Sequence, residues 1–223
     1  MALSLPQGFS SHVANIGNKD DTTDFVVVAA DAVCAAAGVF TQSRFSGPSV
    51  VVSRHNIANR AARAVVVISK NANVATGEQG LDNAHEVVVG VAQALGCAPD
   101  DVLIASTGVI GRQYPMDRVR AGLAGLALPF SGRDATAVAT GIMTTDTVAK
   151  VASATVAGSS ATVVGVAKGV GMIEPNMATL ITLMFTDAVV DAHVLDAIFR
   201  RVIDRTFNCV SIDTTRPPAI PPS

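Results

Sequence analysis

Short apolar runs rich in β-branched residues recur along the 223-residue chain and restrict its fold more than any other feature. Runs of five or six such residues are too short for a buried helix and predict strands. The predicted strands cover residues 25–30, 49–53, 64–69, 102–106 and 180–185. Two further runs, 151–156 and 162–167, flank the small residues 157–160 and predict a hairpin.

Helical periodicity appears between some of these strands. Residues 81–95 place apolar side chains on one face, and Gly96 offers a stop signal. A second helix is predicted after Asp191, with Leu195, Ile198, Phe199 and Val202 as its apolar stripe, and residues 116–126 are a weaker candidate. Because some consecutive strands have no helix between them, the pattern predicts a mixed α/β fold with hairpins.

Composition favours a tightly layered domain that acts on small molecules. Hydrophobic residues make up 49% of the chain and aromatic residues 4%, so Val, Ala, Ile and Leu must form the core. The formal net charge is −2 and Lys and Arg form no runs, so we expect no nucleic-acid partner and no binding to an anionic membrane.

The predicted compartment is the cytoplasm. The longest apolar run, residues 25–40, is interrupted by Asp31 and is shorter than a membrane span, and residues 1–24 lack the pattern of a secretory signal. The three cysteines and four histidines do not have the spacing of a disulfide framework or a zinc site. A dinucleotide loop at Gly169 and Gly171 is excluded because Glu174 stands at the third glycine position.

Residues 168–180 read Lys-Gly-Val-Gly-Met-Ile-Glu-Pro-Asn-Met-Ala-Thr-Leu, and the Ala178-Thr179 pair lies where an apolar strand begins. A threonine released as a new N-terminus has a hydroxyl nucleophile and carries a base in its own α-amino group. The pKa of such an amino group, about 7.7 to 8.0, suits proton transfer near neutral pH. The alternative is an ordinary junction between a loop and a strand.

Five other segments, in order along the chain, complete a recognisable pattern: residues 37–41, 71–77, 106–111, 143–147 and 205–208. Together with residues 168–180, they resemble the ornithine/glutamate N-acetyltransferase family of arginine biosynthesis, over roughly residues 7–214. The resemblance implies a layered α/β/β/α sandwich with mixed sheets. It also implies that the chain cleaves itself between Ala178 and Thr179.

The resemblance implies a reaction as well. An acetyl group would pass from N-acetyl-L-ornithine to Thr179 and then to L-glutamate, in a ping-pong sequence that needs no metal or cofactor. Acetyl-CoA would enter as an acetyl donor only in a bifunctional member. A self-cleaving aminopeptidase or amidase, which passes the acyl group to water, is the alternative enzyme.

Roles in the site are predicted for four further residues, and for three of them the prediction comes from the family pattern. Thr107 and Gly108 match the pair that binds the oxyanion, after the strand predicted at residues 102–106, and the alternative is a Thr-Gly turn. Lys168 lies at the edge of the predicted site and could pair with a substrate carboxylate as a point charge, and the alternative is a solvated surface lysine. Thr144 also matches a substrate contact, although Thr145 is one residue away.

The same resemblance divides the chain into residues 1–178, the α-chain-like domain, and residues 179–214, the start of a β-chain that begins with the nucleophile. The intact parent would assemble as α2β2.

Residues 215–223 contain four prolines and depart from the family, and we expect a one-base deletion near codon 214 as the origin of this tail. The family's second chain supplies further substrate contacts that this chain lacks, so an inactive, non-catalytic remnant is the third hypothesis, after the acetyltransferase and the hydrolase. Asn71 and Asn73 are interpreted as structural caps in preference to site residues.

Overall fold

The computed structural model describes residues 3–19, 21–171 and 180–212, which form two β-sheets with helices packed against them. The strands are β1 (Phe9–Ala14), β2 (Phe25–Ala35), β3 (Ala61–Asn71), β4 (Val102–Val109), β5 (Lys150–Thr155), β6 (Thr162–Lys168) and β7 (Ile181–Thr186). The helices are α1 (Pro48–Asn56), α2 (Gly77–Leu95), α3 (Met116–Ala124), α4 (Ala135–Gly141) and α5 (Ala192–Arg205). This arrangement confirms the predicted α/β sandwich class.

The first sheet has the order β1-β2-β3-β4 and is buried on both faces. β1, β2 and β3 run antiparallel, whereas β3 and β4 are parallel and are joined through α2. Phe25 and Val27 face α1 and α2, while Val26 and Val28 face the opposite side. A strand buried on both faces reads as a continuous apolar run, which is why β2 shows no alternation in the sequence.

The second sheet, β5-β6-β7, is an antiparallel meander that packs against the inner face of the first sheet. Val164 and Val166 of β6 lie in one apolar cluster with Val28 of β2 and Val67 of β3, and α4 contributes Val138 to the same cluster. The hairpin predicted at 151–156 and 162–167 is confirmed to within one residue at either end. The two sheets and α4 therefore share one core.

Both strongly predicted helices are confirmed. α2 begins one turn earlier than predicted and ends at Gly96, whose left-handed conformation (φ 65°) lets its N–H donate to the carbonyls of Ala92 and Gln93. α5 begins after Asp191, whose carboxylate accepts from the N–H groups of the first turn. Its predicted apolar stripe is only partly covered, since Ile198 remains 42% exposed.

The strand predicted at residues 49–53 is wrong, because these residues belong to α1. Gly47 is extended and Pro48 occupies the first turn, where proline is favoured because its missing N–H has no helical partner. Packing then outweighs the β propensity of the three valines that follow. Val52 is 2% exposed in the core between α1 and the first sheet.

A hydroxyl group fixes α1 to the edge of the first sheet. Ser53 Oγ donates to the carbonyl of Ile104 at 2.6 Å and accepts from the Ile104 N–H at 2.7 Å. Asn56 Nδ2 donates to the carbonyl of Val102 at 2.8 Å. These contacts satisfy backbone groups of β4 that the parallel pairing with β3 leaves free.

Other elements differ from the sequence expectation in extent. β4 continues to Val109, so Thr107 and Gly108 lie within the strand instead of following it. β1 and α4 are absent from the prediction, although Asp134 caps α4 by accepting from the Thr136 N–H. None of the helices in the described part of the chain combines the length and the apolar character that a membrane span requires.

We expect Ser53→Ala to lower the free energy of unfolding by about 1 to 3 kcal/mol, because it leaves a buried donor and a buried acceptor of Ile104 unsatisfied. Urea denaturation followed by circular dichroism would measure the change. Ser160→Ala, in the exposed turn between β5 and β6, is the matched control. Equal stability of the two variants would contradict this account of α1.

Candidate active site at the ends of β4 and β6

Two of the predicted site residues meet at one end of the core between the sheets. Side chains alternate along a strand, so Lys168 lies on the same face of β6 as Val164 and Val166. Thr107 likewise follows Ala105 on the face of β4 that points to the second sheet. Lys168 Nζ donates to Thr107 Oγ1 at 2.9 Å, and the two residues are 3% and 7% exposed. The alternative of a solvated surface lysine is therefore wrong.

Gly108 has a backbone conformation that other residues rarely adopt. Its φ angle is +135°, and a Cβ atom at this position would lie 2.2 Å from the carbonyl carbon of Lys70 and 2.5 Å from the nitrogen of Asn71. Lys70 is itself left-handed, with φ 70°, and the register between β3 and β4 shifts here. The two strands thus approach too closely for any residue except glycine at position 108.

A buried carboxylate joins the loop after α4 to the end of β6. Asp146 is 8% exposed and accepts from Lys150 Nζ at 2.5 Å and from the Gly169 N–H at 2.9 Å. It also accepts a longer bond, 3.4 Å, from the Thr144 N–H. One side chain therefore fixes both the backbone of Thr144 and the backbone of Gly169, the residue that follows Lys168.

The same loop is held from the side of the first sheet. Lys70 Nζ donates to the carbonyl of Met143 at 2.9 Å. Thr144 lies between this contact and Asp146 and is half-buried, whereas Thr145 is exposed. Thr144 is thus less accessible to solvent than its neighbour Thr145.

The site is rich in positive charge. The chain has four lysines, and three of them are close enough to interact: Lys70 and Lys150 act on the charge of Lys168, and Lys150 also bonds to Asp146. Burial lowers the pKa of Lys168, Asp146 raises it, and the other two ammonium groups lower it again. Burial raises the pKa of Asp146, but hydrogen bonds from Lys150, Gly169 and Thr144 outweigh this and hold it below its usual value. Such a site suits a ligand that carries a carboxylate.

Hydroxyl groups support β4 from the opposite face. Ser49 Oγ of α1 lies 2.5 Å from Ser106 Oγ and 3.2 Å from Tyr114 Oη, and Ser106 also bonds to Tyr114. Tyr114 is 3% exposed, and burial raises its pKa. This cluster holds the residue immediately before Thr107, so the strand end is fixed on both faces.

The asparagines of the loop after β3 have a structural role, as interpreted from the sequence. Asn73 is fully buried, donates to the carbonyl of Gly80 at 2.8 Å and accepts from Thr76 Oγ1 at 2.9 Å. Asn71 accepts from the Asn73 N–H and donates to the carbonyl of Gln113. These bonds shape the connection between β3 and α2.

Sequence reasoning missed Lys70, Asp146 and Lys150. Asp146 lay within a family-like segment but had no assigned role, and the scarcity of lysine was the signal that could have identified the other two. In a chain with so few lysines, each one is more informative than usual. The predicted cleavage residues Ala178 and Thr179 lie outside the described residues.

A cavity of about 470 Å³ lies away from this site. Arg54, Arg60 and Arg200 line it, but Arg54 already donates to the carbonyl of Thr41 and Arg200 is paired with Asp196. Within residues 3–19, 21–171 and 180–212, no group of three or more His, Cys, Asp or Glu side chains could hold a metal ion.

Comparison with known proteins gives consistent matches. A family model described as the ArgJ family matches residues 10–216. Arginine biosynthesis bifunctional protein ArgJ 2 from Nostoc sp. is 53% identical over 213 residues, which are 96% of this chain and 54% of the relative. Glutamate N-acetyltransferase Oat2 from Streptomyces clavuligerus is 53% identical over 210 residues, which are 94% of this chain and 53% of the relative. The chain thus spans about half the length of these curated relatives.

A solved structure agrees in fold. Ornithine acetyltransferase from Mycobacterium tuberculosis, complexed with ornithine, superposes with a TM-score of 0.73 at 32% sequence identity. The match covers 81% of this chain and 96% of the solved chain. The family model, the two relatives and the solved structure all agree with the pattern in the six sequence segments, and on this evidence the chain belongs to the ArgJ family.

Proposed function

We propose that this chain carries the nucleophile and the oxyanion site of a glutamate N-acetyltransferase in arginine biosynthesis, which transfers an acetyl group from N-acetyl-L-ornithine to L-glutamate. The observation that carries the proposal is the buried contact between Lys168 and Thr107, beside Gly108, in a member of the ArgJ family. The names of the relatives, which include a glutamate N-acetyltransferase and an ornithine acetyltransferase, support the choice of substrates.

Self-cleavage is the first step. The hydroxyl of Thr179 attacks the carbonyl carbon of Ala178, the peptide C–N bond breaks, the hydroxyl proton passes to the departing nitrogen of Thr179, and an ester forms. Water hydrolyses the ester, which leaves a carboxylate on Ala178 and a free α-amino group on Thr179.

Acetyl transfer then uses the same hydroxyl. The α-amino group of Thr179 accepts the hydroxyl proton while Oγ attacks the acetyl carbonyl of N-acetylornithine. The tetrahedral intermediate collapses, the C–N bond breaks, and the proton passes to the departing amine of ornithine. The amine of glutamate next attacks the acetyl ester, which releases N-acetylglutamate and returns the proton to Thr179 Oγ.

The oxyanion of each tetrahedral intermediate requires donors that are already in position. We assign this role to the hydroxyl of Thr107 and the N–H of Gly108, and one well-placed donor contributes about 3 to 4 kcal/mol. The described Ile181 pairs with Lys168 in the second sheet, so the strand that begins at Ile181 lies next to the strand that ends at Lys168.

The cluster of positive charge supports recognition of amino-acid carboxylates. Thr144 is half-buried, and its N–H donates to the same Asp146 that accepts from the Gly169 N–H, so Thr144 is our substrate-binding candidate. A direct contact between Lys168 and the substrate carboxylate stays a prediction. The proposed steps require no cofactor, and acetyl-CoA stays a prediction as a second acetyl donor. A paired α- and β-chain, its α2β2 assembly and a cytoplasmic location also stay predictions.

Self-cleavage predicts two masses where the intact chain would give one. Mass spectrometry of the purified protein under denaturing conditions should give fragments that part between Ala178 and Thr179, because the hydroxyl of Thr179 is the attacking group. Thr179→Ala should remain uncut, whereas Thr179→Ser keeps a hydroxyl and should still be cleaved. A single uncut mass from the wild-type protein would sink the cleavage step.

Gly108→Ala should reduce the rate of acetyl transfer by on the order of a hundredfold or more, because the new Cβ displaces the N–H that serves the oxyanion. The measurement is the appearance of N-acetylglutamate from N-acetylornithine and glutamate. Gly158→Ala is the matched control, since Gly158 also has a left-handed φ (+76°) but has open space around it. Equal rates for the two variants would contradict the assignment, and acetate release without transfer would favour a hydrolase.

A further inference from the structure

The direction of the hydrogen bond between Lys168 and Thr107 determines which atom carries the free proton. A lysine ammonium group has three donors and no acceptor, so Thr107 Oγ1 must be the acceptor in this 2.9 Å contact. A threonine hydroxyl has one proton, and that proton cannot point at the ammonium group. The contact therefore directs the Thr107 proton away from Lys168 and leaves it for another acceptor.

Lys168 is well held for such a role. The next residue, Gly169, donates its N–H to Asp146, which fixes the backbone at the end of β6. The charged groups around the ammonium are Asp146, Lys150 and Lys70, and the single carboxylate is the neighbour that favours the charged form. Burial at 3% exposure leaves little solvent to compete for the ammonium hydrogens.

We propose that Lys168 is a positioning residue that acts through Thr107, orienting the threonine hydroxyl so that its proton is donated to the oxyanion of the acetyl-transfer intermediate. This inference rests on the proposed function and deepens it. Donation from a charged group also polarises the Thr107 O–H bond, because hydrogen bonds in a chain strengthen one another in a medium of low dielectric constant. The positive charge of Lys168 thus stabilises the oxyanion through the intervening hydroxyl of Thr107.

This role differs from a contact with the substrate carboxylate in what it does to the kinetics. A group that only binds substrate contributes equally to the ground state and the transition state, so its loss raises KM and leaves kcat unchanged. A group that orients an oxyanion donor acts mainly in the transition state, so its loss lowers kcat. The two roles can therefore be separated by experiment.

The contact itself can be tested without any catalytic assay. The full chain, labelled with [ε-13C]lysine, contains four lysines, and a Lys→Arg series assigns their signals. Thr107→Val removes the acceptor of the charged form, so the titration midpoint of Lys168 should fall and the change should be confined to that signal. Thr155→Val, at an exposed position on β5, is the control. An unchanged Lys168 titration in Thr107→Val would overturn the proposal.

Steady-state kinetics with N-acetylornithine and glutamate test the catalytic use of the contact. Lys168→Met and Thr107→Val should each lower kcat by about tenfold to a thousandfold with little change in KM, and the double variant should lose no more than the worse single variant. A raised KM with kcat preserved in Lys168→Met, or losses that multiply in the double variant, would overturn the positioning role. A wild-type chain that gives the NMR result but transfers no acetyl group would overturn the proposed function, and the catalytic use of Lys168 with it, while the contact would stand.

Discussion

The packing of the two sheets against each other, through a core of small aliphatic side chains, is the constraint on which the rest of the structure depends. Val26, Val28 and Val67 of the first sheet meet Val164 and Val166 of the second. With aromatic residues at only 4% of the chain, such a core brings the sheets together through side chains of similar, modest size. Further along β4 and β6, the side chains on the core-facing side are the polar Thr107 and Lys168. The position of the site therefore follows from the packing of the two sheets.

The polar end of this core has a free-energy cost that its partners must offset. Taking an ammonium group out of water costs several kcal/mol even after relaxation of the surroundings. Lys168 regains part of that cost through its hydrogen bond to Thr107 and through its attraction to Asp146. Asp146 in turn is bonded to Lys150 and to the Gly169 N–H, so the carboxylate is satisfied on several sides. A buried charge held in this way is better explained by chemistry at the site than by stability alone.

Local backbone strain is also present at this place. Lys70 is left-handed and Gly108 has a φ angle of +135°, at the point where the register between β3 and β4 shifts. Non-glycine residues in such conformations cost about 1 to 3 kcal/mol and persist where the surrounding structure fixes them. Here the Lys70 side chain donates to the Met143 carbonyl, so the strained residue also holds the loop that carries Thr144.

The sequence alone determined the fold class, the positions of α2, α5 and the β5–β6 hairpin, and the family, because periodicity, caps and ordered motifs are local features of the chain. The sequence analysis misassigned residues 49–53, because a short run of valines is compatible with a strand or with a helix. The contact of Ser53 with Ile104 decides between the two. Only the tertiary structure showed that Lys168 is buried and bonded to Thr107, since these residues are 61 positions apart. Sheet packing, and not the neighbours in the sequence, determines which lysine is buried and which hydroxyl it contacts.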